Sequence, residues 1–255
     1  MAELHVQSLC VDAGARRLVD AVSMTVRGGE LVAIIGENGA GKSSLMRGLA
    51  GYVRPTAGMV TAEGRDVMGM TAGARARAIG WLPQAMPLAW PIRVRDAVAI
   101  GRFAHGGLPE RLSPADATAV ARALTACDLN ELAERSTAHL SGGEIARVHL
   151  ARTMVGGAAV LLAVEPVAAL DPRHRLAVMR LLRADADAGK AVVMVLHDLA
   201  LAARFADRII GMKDGRVQVE GPPVEVVSPM WIRALFGVEA EVECSRGWPV
   251  PVVVG

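Results

Sequence analysis

Aromatic residues and net charge are both scarce in this 255-residue chain. Phe, Trp and Tyr make up 3% of the residues, which argues against surfaces that stack the bases of single-stranded nucleic acid. The formal net charge of +2 is too small to indicate nucleic-acid binding by electrostatics. We therefore expect no nucleic-acid partner.

Cysteine is equally rare, and its pattern excludes two classes of site. Cys10, Cys127 and Cys244 are far apart, and none of them belongs to a CxxC pair. The sequence therefore indicates neither a disulfide framework nor a zinc site. We expect small buried apolar side chains at these positions.

Long apolar runs are also missing. No run approaches the ~20 residues that a membrane-spanning helix needs. The first five residues lack the basic and apolar regions of a signal peptide, so a cytoplasmic location is expected. Because 52% of the residues are hydrophobic, the chain can bury a large core, either as one large α/β domain or as two lobes.

A glycine-rich segment is the most informative feature that is present. Residues 36–43 read GENGAGKS and fit G-x-x-x-x-G-K-[ST] without a gap. The apolar run 31–35 before them is typical of a buried parallel strand, and Leu45 and Leu49 after them have helical spacing. A strand, a glycine-rich turn and a helix N-terminus together form a phosphate site, because backbone N–H groups and the helix dipole point to one spot.

The side chains of this segment suit a nucleoside triphosphate with Mg²⁺. Lys42 can reach the β- and γ-phosphates, and the Ser43 hydroxyl can bind Mg²⁺. A Cβ at Gly39 or Gly41 would block the close approach of the backbone to a phosphate. A turn that binds nothing is the alternative, which the matching flanks disfavour. The residues expected to bind the nucleotide are Gly36, Glu37, Asn38, Gly39, Ala40, Gly41, Lys42, Ser43 and Ser44.

The rest of the chain alternates strands and helices, which predicts a parallel sheet with both faces covered. Further strands are predicted at residues 4–11, 21–26, 59–62, 79–83, 160–164, 191–196, 208–213 and 216–220. Helices are predicted at residues 93–100, 114–126, 173–188 and 199–205, in a stretch that opens at 140–144, and as a short terminal helix at 228–236. We expect one domain over 1–255, with an α/β lobe (1–84 and 158–255) and an inserted helical lobe (85–157).

Several short motifs follow the glycine-rich segment. In order along the chain they are Gln84, the LSGGE stretch 140–144, Glu165-Pro166, Ala169-Leu170-Asp171 and His197. Together with the segment 36–43 they resemble the nucleotide-binding subunit of ABC transporters over essentially the whole chain. The resemblance implies a P-loop NTPase core of the RecA type with a mostly parallel sheet, an N-terminal antiparallel β subdomain and an inserted helical subdomain.

The LSGGE stretch resembles the family's signature motif. Ser141, Gly142 and Gly143 at a helix N-terminus would form a second anion site. In the family, the signature of one subunit closes over ATP held by the other, so the resemblance implies a head-to-tail homodimer with two ATP molecules. An ordinary serine N-cap followed by glycines is the alternative.

The other motifs imply roles in ATP hydrolysis. Glu165 follows a predicted strand, where its carboxylate can accept a proton from the attacking water. By resemblance, His197 contacts the γ-phosphate, and Gln84 contacts Mg²⁺ or the water. Asp171 resembles the residue that links the two ATP sites across the dimer, and its alternative is a helix N-cap ahead of Pro172. The metal would thus be held by Ser43 and Gln84.

Two positions depart from the family pattern. Val164 stands where the family has the aspartate that helps to hold Mg²⁺, and valine offers no oxygen. Either hydrolysis is slow or absent, or Glu165 or Gln84 takes the vacant role; we expect weakened hydrolysis with nucleotide binding retained. Ala13 lies about where many relatives carry an aromatic that stacks on adenine, so ATP affinity and the preference for adenine over guanine are expected to be modest.

Finer resemblance is to the subfamily that serves iron-siderophore, haem and cobalamin uptake, with haem as the leading candidate. It rests on residues 99–102, 197–200, 206–208 and 221–227. It implies a permease partner that contacts residues 86–95, an indirect link to a substrate-binding protein, and a place at the cytoplasmic face of the inner membrane. The competing hypothesis is a nucleotide-gated regulatory module with little ATP turnover. A small-molecule P-loop kinase would explain neither the signature nor His197.

Overall fold

A six-stranded sheet lies at the centre of the protein. The computed structural model describes residues 2–84, 88, 90–168 and 170–254, so the predicted positions Met86 and Ala169 lie outside the described residues. The sheet has the order β10-β9-β3-β8-β7-β6, and all neighbours pair parallel except β10, which is antiparallel to β9. Its strands are β3 (Leu31–Ile35), β6 (Ile79–Leu82), β7 (Val160–Val164), β8 (Ala191–Val195), β9 (Arg208–Lys213) and β10 (Arg216–Gly221).

The N-terminal part forms a second, antiparallel sheet with the order β2-β1-β4-β5. Its strands are β1 (Glu3–Ala13), β2 (Arg16–Arg27), β4 (Ala57–Ala62) and β5 (Arg65–Asp66). Exposed and buried residues alternate along much of β1 and β2, as expected for strands with one face on the core. The predicted α/β fold with a mostly parallel sheet and an N-terminal antiparallel sheet is confirmed.

Helices cover both faces of the central sheet. They are α1 (Lys42–Leu49), α2 (Ala72–Ala78), α3 (Val94–Ala99), α4 (Pro114–Ala126), α5 (Gly142–Met154), α6 (Pro172–Asp187), α7 (Leu199–Phe205), α8 (Pro223–Val226) and α9 (Pro229–Phe236). Short 3₁₀ helices occur at Val67–Gly69, Ile100–His105, Asn130–Leu132 and Thr137–His139. The described residues between β6 and β7, which are adjacent strands, contain helices α3 to α5 and no named strand. In the described part of the chain, no helix has the length and apolar character to cross a bilayer.

Helix α4 illustrates how local sequence sets the ends of these helices. The Ser113 hydroxyl accepts a hydrogen bond from the Asp116 N–H (3.1 Å), and Pro114 occupies the first helical position. A helix start favours serine at the cap, because its hydroxyl accepts a hydrogen bond from a backbone N–H that has no partner in the helix. It favours proline in the first turn, because proline has no N–H that would need a partner. The predicted helix 114–126 is thus confirmed, and Ser113 sets its start.

The core is divided by the central sheet. Successive strand residues point to opposite faces, so Leu161 belongs to the cluster shared with α3, α5 and α6, whereas Leu162 belongs to the cluster shared with α1 and the N-terminal sheet. Strands β3, β7 and β8 are buried along their whole length. Their continuous apolar sequence is therefore explained by burial on both faces.

The structure differs from the sequence prediction at the C-terminal end. Helix α9 is present where a terminal helix was predicted, but a hairpin of β11 (Ala240–Ser245) and β12 (Trp248–Val253) follows it. Pro249 and Pro251 lie within β12, although proline has no N–H to donate and so argues against a strand in the sequence. In a two-stranded sheet each strand has one edge without a partner, and a proline is tolerated there. Helix α2 was also not predicted.

Candidate functional site

The glycine-rich segment links the end of β3 to the start of α1. Gly36, Gly39 and Gly41 have φ angles of 146°, 84° and 95°, a region that residues with a side chain avoid. A Cβ at Gly36 would lie 2.2 Å from the Met212 carbonyl oxygen, and one at Gly41 would lie 2.3 Å from that of Leu18. The neighbouring backbone therefore requires glycine at Gly36 and Gly41. At Gly41 this requirement adds to the predicted close approach of a phosphate. No atom lies within 4 Å of a Cβ built at Gly39.

Lys42 is the best-buried charged side chain of the segment, with 5% exposure. Its Nζ donates hydrogen bonds to the carbonyl oxygens of Gly36 (2.7 Å) and Glu37 (2.8 Å). Burial lowers the pKa of Lys42, while the charges of Glu165 and Glu37 act in the opposite direction. An ammonium group that is partly desolvated in this way gains from an anionic ligand.

A cavity of about 200 Å³ opens in front of the segment. Six of the nine residues predicted to bind the nucleotide line it: Asn38, Gly39, Gly41, Lys42, Ser43 and Ser44. The other three act behind it. Gly36 and Glu37 hold Lys42 through their carbonyl groups, and Ala40 is buried in the core, where its carbonyl accepts a hydrogen bond from the Gly215 N–H (3.1 Å). The cavity thus offers backbone N–H groups, a lysine and hydroxyl groups to an anion.

Arg16 and Leu18 also line this cavity, and sequence reasoning missed both. They belong to β2, which approaches the segment only through the tertiary fold: the Asp20 N–H donates to the Gly215 carbonyl (2.9 Å), next to the bond that holds Ala40. Ala13 pairs with Arg16 in the β1–β2 register. No local pattern in the sequence signals this approach.

Three of the predicted catalytic side chains meet at one edge of the sheet. The Glu165 carboxylate lies 2.9 Å from His197 Nε2 through Oε1, and it accepts a hydrogen bond from Gln84 Nε2 (3.0 Å) through Oε2. Gln84, Glu165 and His197 follow the ends of the adjacent parallel strands β6, β7 and β8. The carboxyl ends of parallel strands meet at one edge, where such sheets bind ligands.

The backbone of Glu165 is held in an uncommon conformation. Its φ is 47°, and its N–H donates to the Val195 carbonyl (3.1 Å). A left-handed conformation in a residue with a side chain costs about 1–2 kcal/mol, and such residues cluster at active sites. Glu165 also lines the cavity in front of the glycine-rich segment. Glu165 therefore contacts Gln84 and His197 and also lines the phosphate cavity.

Val164 lies directly before this carboxylate. It is buried, pairs with Val195 in the β7–β8 register, and packs in the core cluster that includes Leu162. Among the described residues, no group of three or more His, Cys, Asp or Glu side chains could hold a metal ion. The side-chain oxygens at this cavity are those of Asn38, Ser43, Ser44 and Glu165, and Gln84 next to Glu165 has an amide oxygen that is not used in its bond to that carboxylate. Mg²⁺ accepts few protein oxygens and keeps several waters, so this donor set fits it.

The signature residues begin helix α5 as a capping box. The Ser141 hydroxyl accepts a hydrogen bond from the Glu144 N–H (3.4 Å), and the Glu144 carboxylate accepts one from the Ser141 N–H (2.6 Å). The bond from Ser141 lowers the pKa of Glu144. The serine N-cap that sequence analysis kept as an alternative is thus present. Gly142 and Gly143 form the first turn, and none of these residues is among the described residues that line the phosphate cavity.

Asp171 is the N-cap of α6. Its carboxylate accepts a hydrogen bond from the His174 N–H (3.0 Å) and lies 2.6 Å from His174 Nδ1. Both hydrogen bonds from His174 lower the pKa of Asp171, and the one from its backbone N–H has the larger effect. The His174 ring also packs on the signature turn, since a Cβ at Gly143 would lie 2.7 Å from it. Sequence reasoning missed His174, whose spacing of three from Asp171 is its only sequence signal.

Comparison with known proteins identifies the family. The profile described as ABC transporter matches residues 19–168. The chain is 38% identical over 254 residues to a hemin import ATP-binding protein, HmuV, of Pseudomonas entomophila, covering 97% of this chain and 98% of the relative. It is 39% identical over 240 residues to a cobalamin import ATP-binding protein, BtuD, of Halobacterium salinarum, covering 94% of this chain and 60% of the relative.

A solved structure agrees with the sequence relatives. The fold is similar to a dimeric post-hydrolysis state of an ATP-binding cassette bound to ADP and Pi, with a TM-score of 0.73 at 26% identity, over 86% of this chain and 98% of that one. The profile match spans more than half of the chain, and the first relative is matched along nearly all of its length. This chain therefore belongs to the ABC transporter family and has the fold of its ATP-binding cassettes.

Proposed function

We propose that this protein is the ATP-binding subunit of a bacterial ABC importer and couples ATP hydrolysis to the uptake of haem or a related iron or corrinoid compound. The observation that carries the proposal is the contact of Gln84 and His197 with Glu165, which also lines the cavity of the glycine-rich segment. This arrangement supports phosphoryl transfer to water, because it joins a triphosphate cradle to a positioned carboxylate.

The residues divide the chemistry between them. The N–H groups of residues 38–43 and Lys42 bind the β- and γ-phosphates, and Ser43 and Gln84 would hold Mg²⁺, which neutralises phosphate charge. Glu165 accepts a proton from water while the water oxygen bonds to the γ-phosphorus and the bond to the β–γ bridging oxygen breaks. Gln84 and His197 orient the carboxylate of Glu165, and His197 contacts the departing phosphate.

Val164 limits this reaction. With no carboxylate at that position, Glu165 is the acidic side chain among the described residues that line the phosphate cavity. It must then act near the metal and as the base at once, so we propose slow hydrolysis with nucleotide binding retained. The same observation favours a second function, a nucleotide-gated module that dimerises on ATP with little turnover.

The proposal includes a head-to-tail homodimer with two ATP molecules. Ser141, Gly142 and Gly143 of one subunit would close over the triphosphate held by the other, and Asp171 would lie across the interface. Two observations support this arrangement: the signature turn is not among the described residues of its own phosphate cavity, and the ADP-bound structural neighbour is a dimer.

We place the proposed permease contact, at the cytoplasmic face of the inner membrane, on an apolar groove whose lining residues lie outside the stretch 86–95 for which the contact was predicted. The groove has a volume of about 510 Å³ and includes Tyr52, Trp81, Ile100 and Phe103. The rings of Tyr52 and Trp81 pack edge to face at 5.2 Å, and the Phe103 side chain is 70% exposed. Exposed apolar surface of this kind marks protein interfaces. The substrate-binding protein would act through the permease.

The cargo is inferred from relatives, because this subunit need not touch it. Identity to the hemin and cobalamin import proteins is 38% and 39%, so it does not separate haem from corrinoid. The match covers 98% of the hemin import protein but 60% of the cobalamin import protein, which favours haem.

Sedimentation and ATP turnover together test the proposal. We expect the chain to dimerise with a non-hydrolysable ATP analogue and Mg²⁺, and to turn over ATP faster when a permease subunit is present. A chain that stays monomeric with the analogue would refute the dimer. Dimerisation without turnover, with or without permease, would instead establish the nucleotide-gated module.

A further inference from the structure

A second cavity lies between the end of α4, helix α5 and helix α6, away from the glycine-rich segment. Its volume is about 400 Å³, within the range of small-molecule sites. Basic side chains dominate its polar wall: Arg147 from α5, and Arg173, His174 and Arg180 from α6. None of these residues lines the phosphate cavity. We call this space the arginine cavity.

The charges of the arginine cavity are not balanced. Among the described residues, Asp128 is its one lining carboxylate, and it already pairs with Arg147 Nη1 (3.0 Å). The side chains of Arg173 and Arg180, seven residues apart on one helix face, have no hydrogen bond or ion pair with any described residue. Three guanidinium groups against one carboxylate leave a local charge of +2, which favours a bound anion.

The guanidinium of Arg147 is held in place by backbone at the end of α4. Its Nη1 donates to the carbonyl oxygens of Cys127 (3.2 Å) and Asp128 (2.7 Å), while its Nε is buried without a partner in the described part of the chain. A buried N–H that lacks an acceptor is unfavourable, so the hydrogen-bonding capacity of this arginine is not fully used. A guanidinium held in advance loses little entropy when an oxygen-rich ligand binds.

The remaining lining residues of the arginine cavity are apolar. They are Ala126 and Cys127 at the end of α4, and Ala177 and Leu181, which share a face of α6 with Arg173 and Arg180. Burial raises the pKa of Cys127 to about 12, so the thiol is neutral at physiological pH and adds no negative charge that would repel an anion. Basic and apolar side chains together suit a phosphate group with a small organic body.

We propose that the arginine cavity binds a phosphate group, either free or carried by a small phosphorylated molecule. Arginine recognises phosphate through paired N–H donors, and three arginines surround this space. The site is separate from the proposed ATP site. It is joined to the proposed dimer surface by His174, which contacts both Asp171 and the signature turn at Gly143.

Arginine-specific chemical modification tests the proposal on the unaltered protein. We would measure the rates of phenylglyoxal modification of Arg173 and Arg180 by peptide mapping, with and without pyrophosphate, inorganic phosphate or glucose 6-phosphate. Arg54 and Arg111 are internal controls, because both are exposed and neither has an ion pair among the described residues. We expect a saturating ligand to slow Arg173 and Arg180 about tenfold and to leave the controls unchanged.

Calorimetry of two matched double variants completes the test. Arg173→Ala/Arg180→Ala should weaken pyrophosphate binding about tenfold, whereas Arg54→Ala/Arg111→Ala, with the same loss of charge, should not. All proteins carry Lys42→Ala, so that the phosphate cavity contributes little. Protection by glucose 6-phosphate but not by free phosphate would assign the site to phosphorylated molecules. Equal effects at both arginine pairs, or no protection at about 10 mM ligand, would overturn the proposal. This readout does not require ATP turnover, so its failure is distinct from failure of the proposed function.

Discussion

Strands β3 and β7 end at the same edge of the central sheet, but they provide very different sites. At the end of β3, one contiguous segment supplies backbone N–H groups, Lys42 and Ser43. At the end of β7, the chemistry depends on side chains from three strands, and Val164 contributes no oxygen. A site made mostly of backbone survives many substitutions, whereas a site made of side chains changes with one. We therefore expect binding and hydrolysis to be separable in this protein.

The largest expected effect is at the end of β7. Glu165→Gln should lower ATP turnover by about 10²–10⁴-fold, because the base is lost while its shape is kept. Nucleotide affinity should stay within about threefold, since the segment after β3 is untouched. Glu63→Gln is the control, because Glu63 is also a glutamate with positive φ, 52°. Steady-state assays measure turnover, and titration with a fluorescent nucleotide measures affinity. If Glu165→Gln lost turnover and nucleotide affinity together, the two strand ends would not act separately.

The next effect is at the end of β3. Lys42→Ala should weaken nucleotide binding about 10–100-fold, since it removes a charge-assisted hydrogen bond to phosphate. Lys213→Ala is the control, because that lysine lies at the end of β9 and donates to the Ala234 carbonyl (2.6 Å). Titration calorimetry would measure both affinities. Unchanged affinity in Lys42→Ala would contradict the assignment of the nucleotide to this segment.

Val164→Asp makes the two strand ends more alike. We expect turnover to rise about tenfold and less Mg²⁺ to be needed for half-maximal rate, because the new carboxylate supplies the missing oxygen. Val164→Asn is the control for a polar group without charge. The two variants would be compared by Mg²⁺ titration of the ATPase rate. If the aspartate gives no gain, the native site already holds its metal through Glu165 or Gln84.

The smallest effect concerns the turn before α5. Ser141→Ala should lower the free energy of unfolding by about 1 kcal/mol, since it removes the cap that accepts from the Glu144 N–H. Ser228→Ala is a matched control, because Ser228 precedes α9 but its side chain makes no cap hydrogen bond. Urea unfolding of both variants measures the difference. Equal losses would show that the capping box adds no stability.

The sequence predicted whatever depends on local pattern or on strand ends. The segment 36–43 and the order of the later motifs indicated the fold, and the strand-end rule explains why Gln84, Glu165 and His197 meet despite their separation in the chain. The sequence did not reveal Arg16 beside the phosphate cavity, since that contact depends on how β2 packs. Nor did it reveal the last hairpin, because prolines within a strand count against it until the free edge is known.

The hairpin of β11 and β12 packs near the C-terminal end of α7, and it has a consequence for the other end of that helix, beside His197. The guanidinium of Arg204, in α7, lies 5.2 Å from the ring centre of its neighbour Phe205 and 5.2 Å from that of Trp248, so the Trp248 ring joins β12 to this short helix. Helix α7 begins immediately after His197 and Asp198, and Asp198 caps it. We therefore expect the carboxyl-terminal strands to steady the helix that begins beside His197, and their removal to loosen the contact between His197 and Glu165 from a distance.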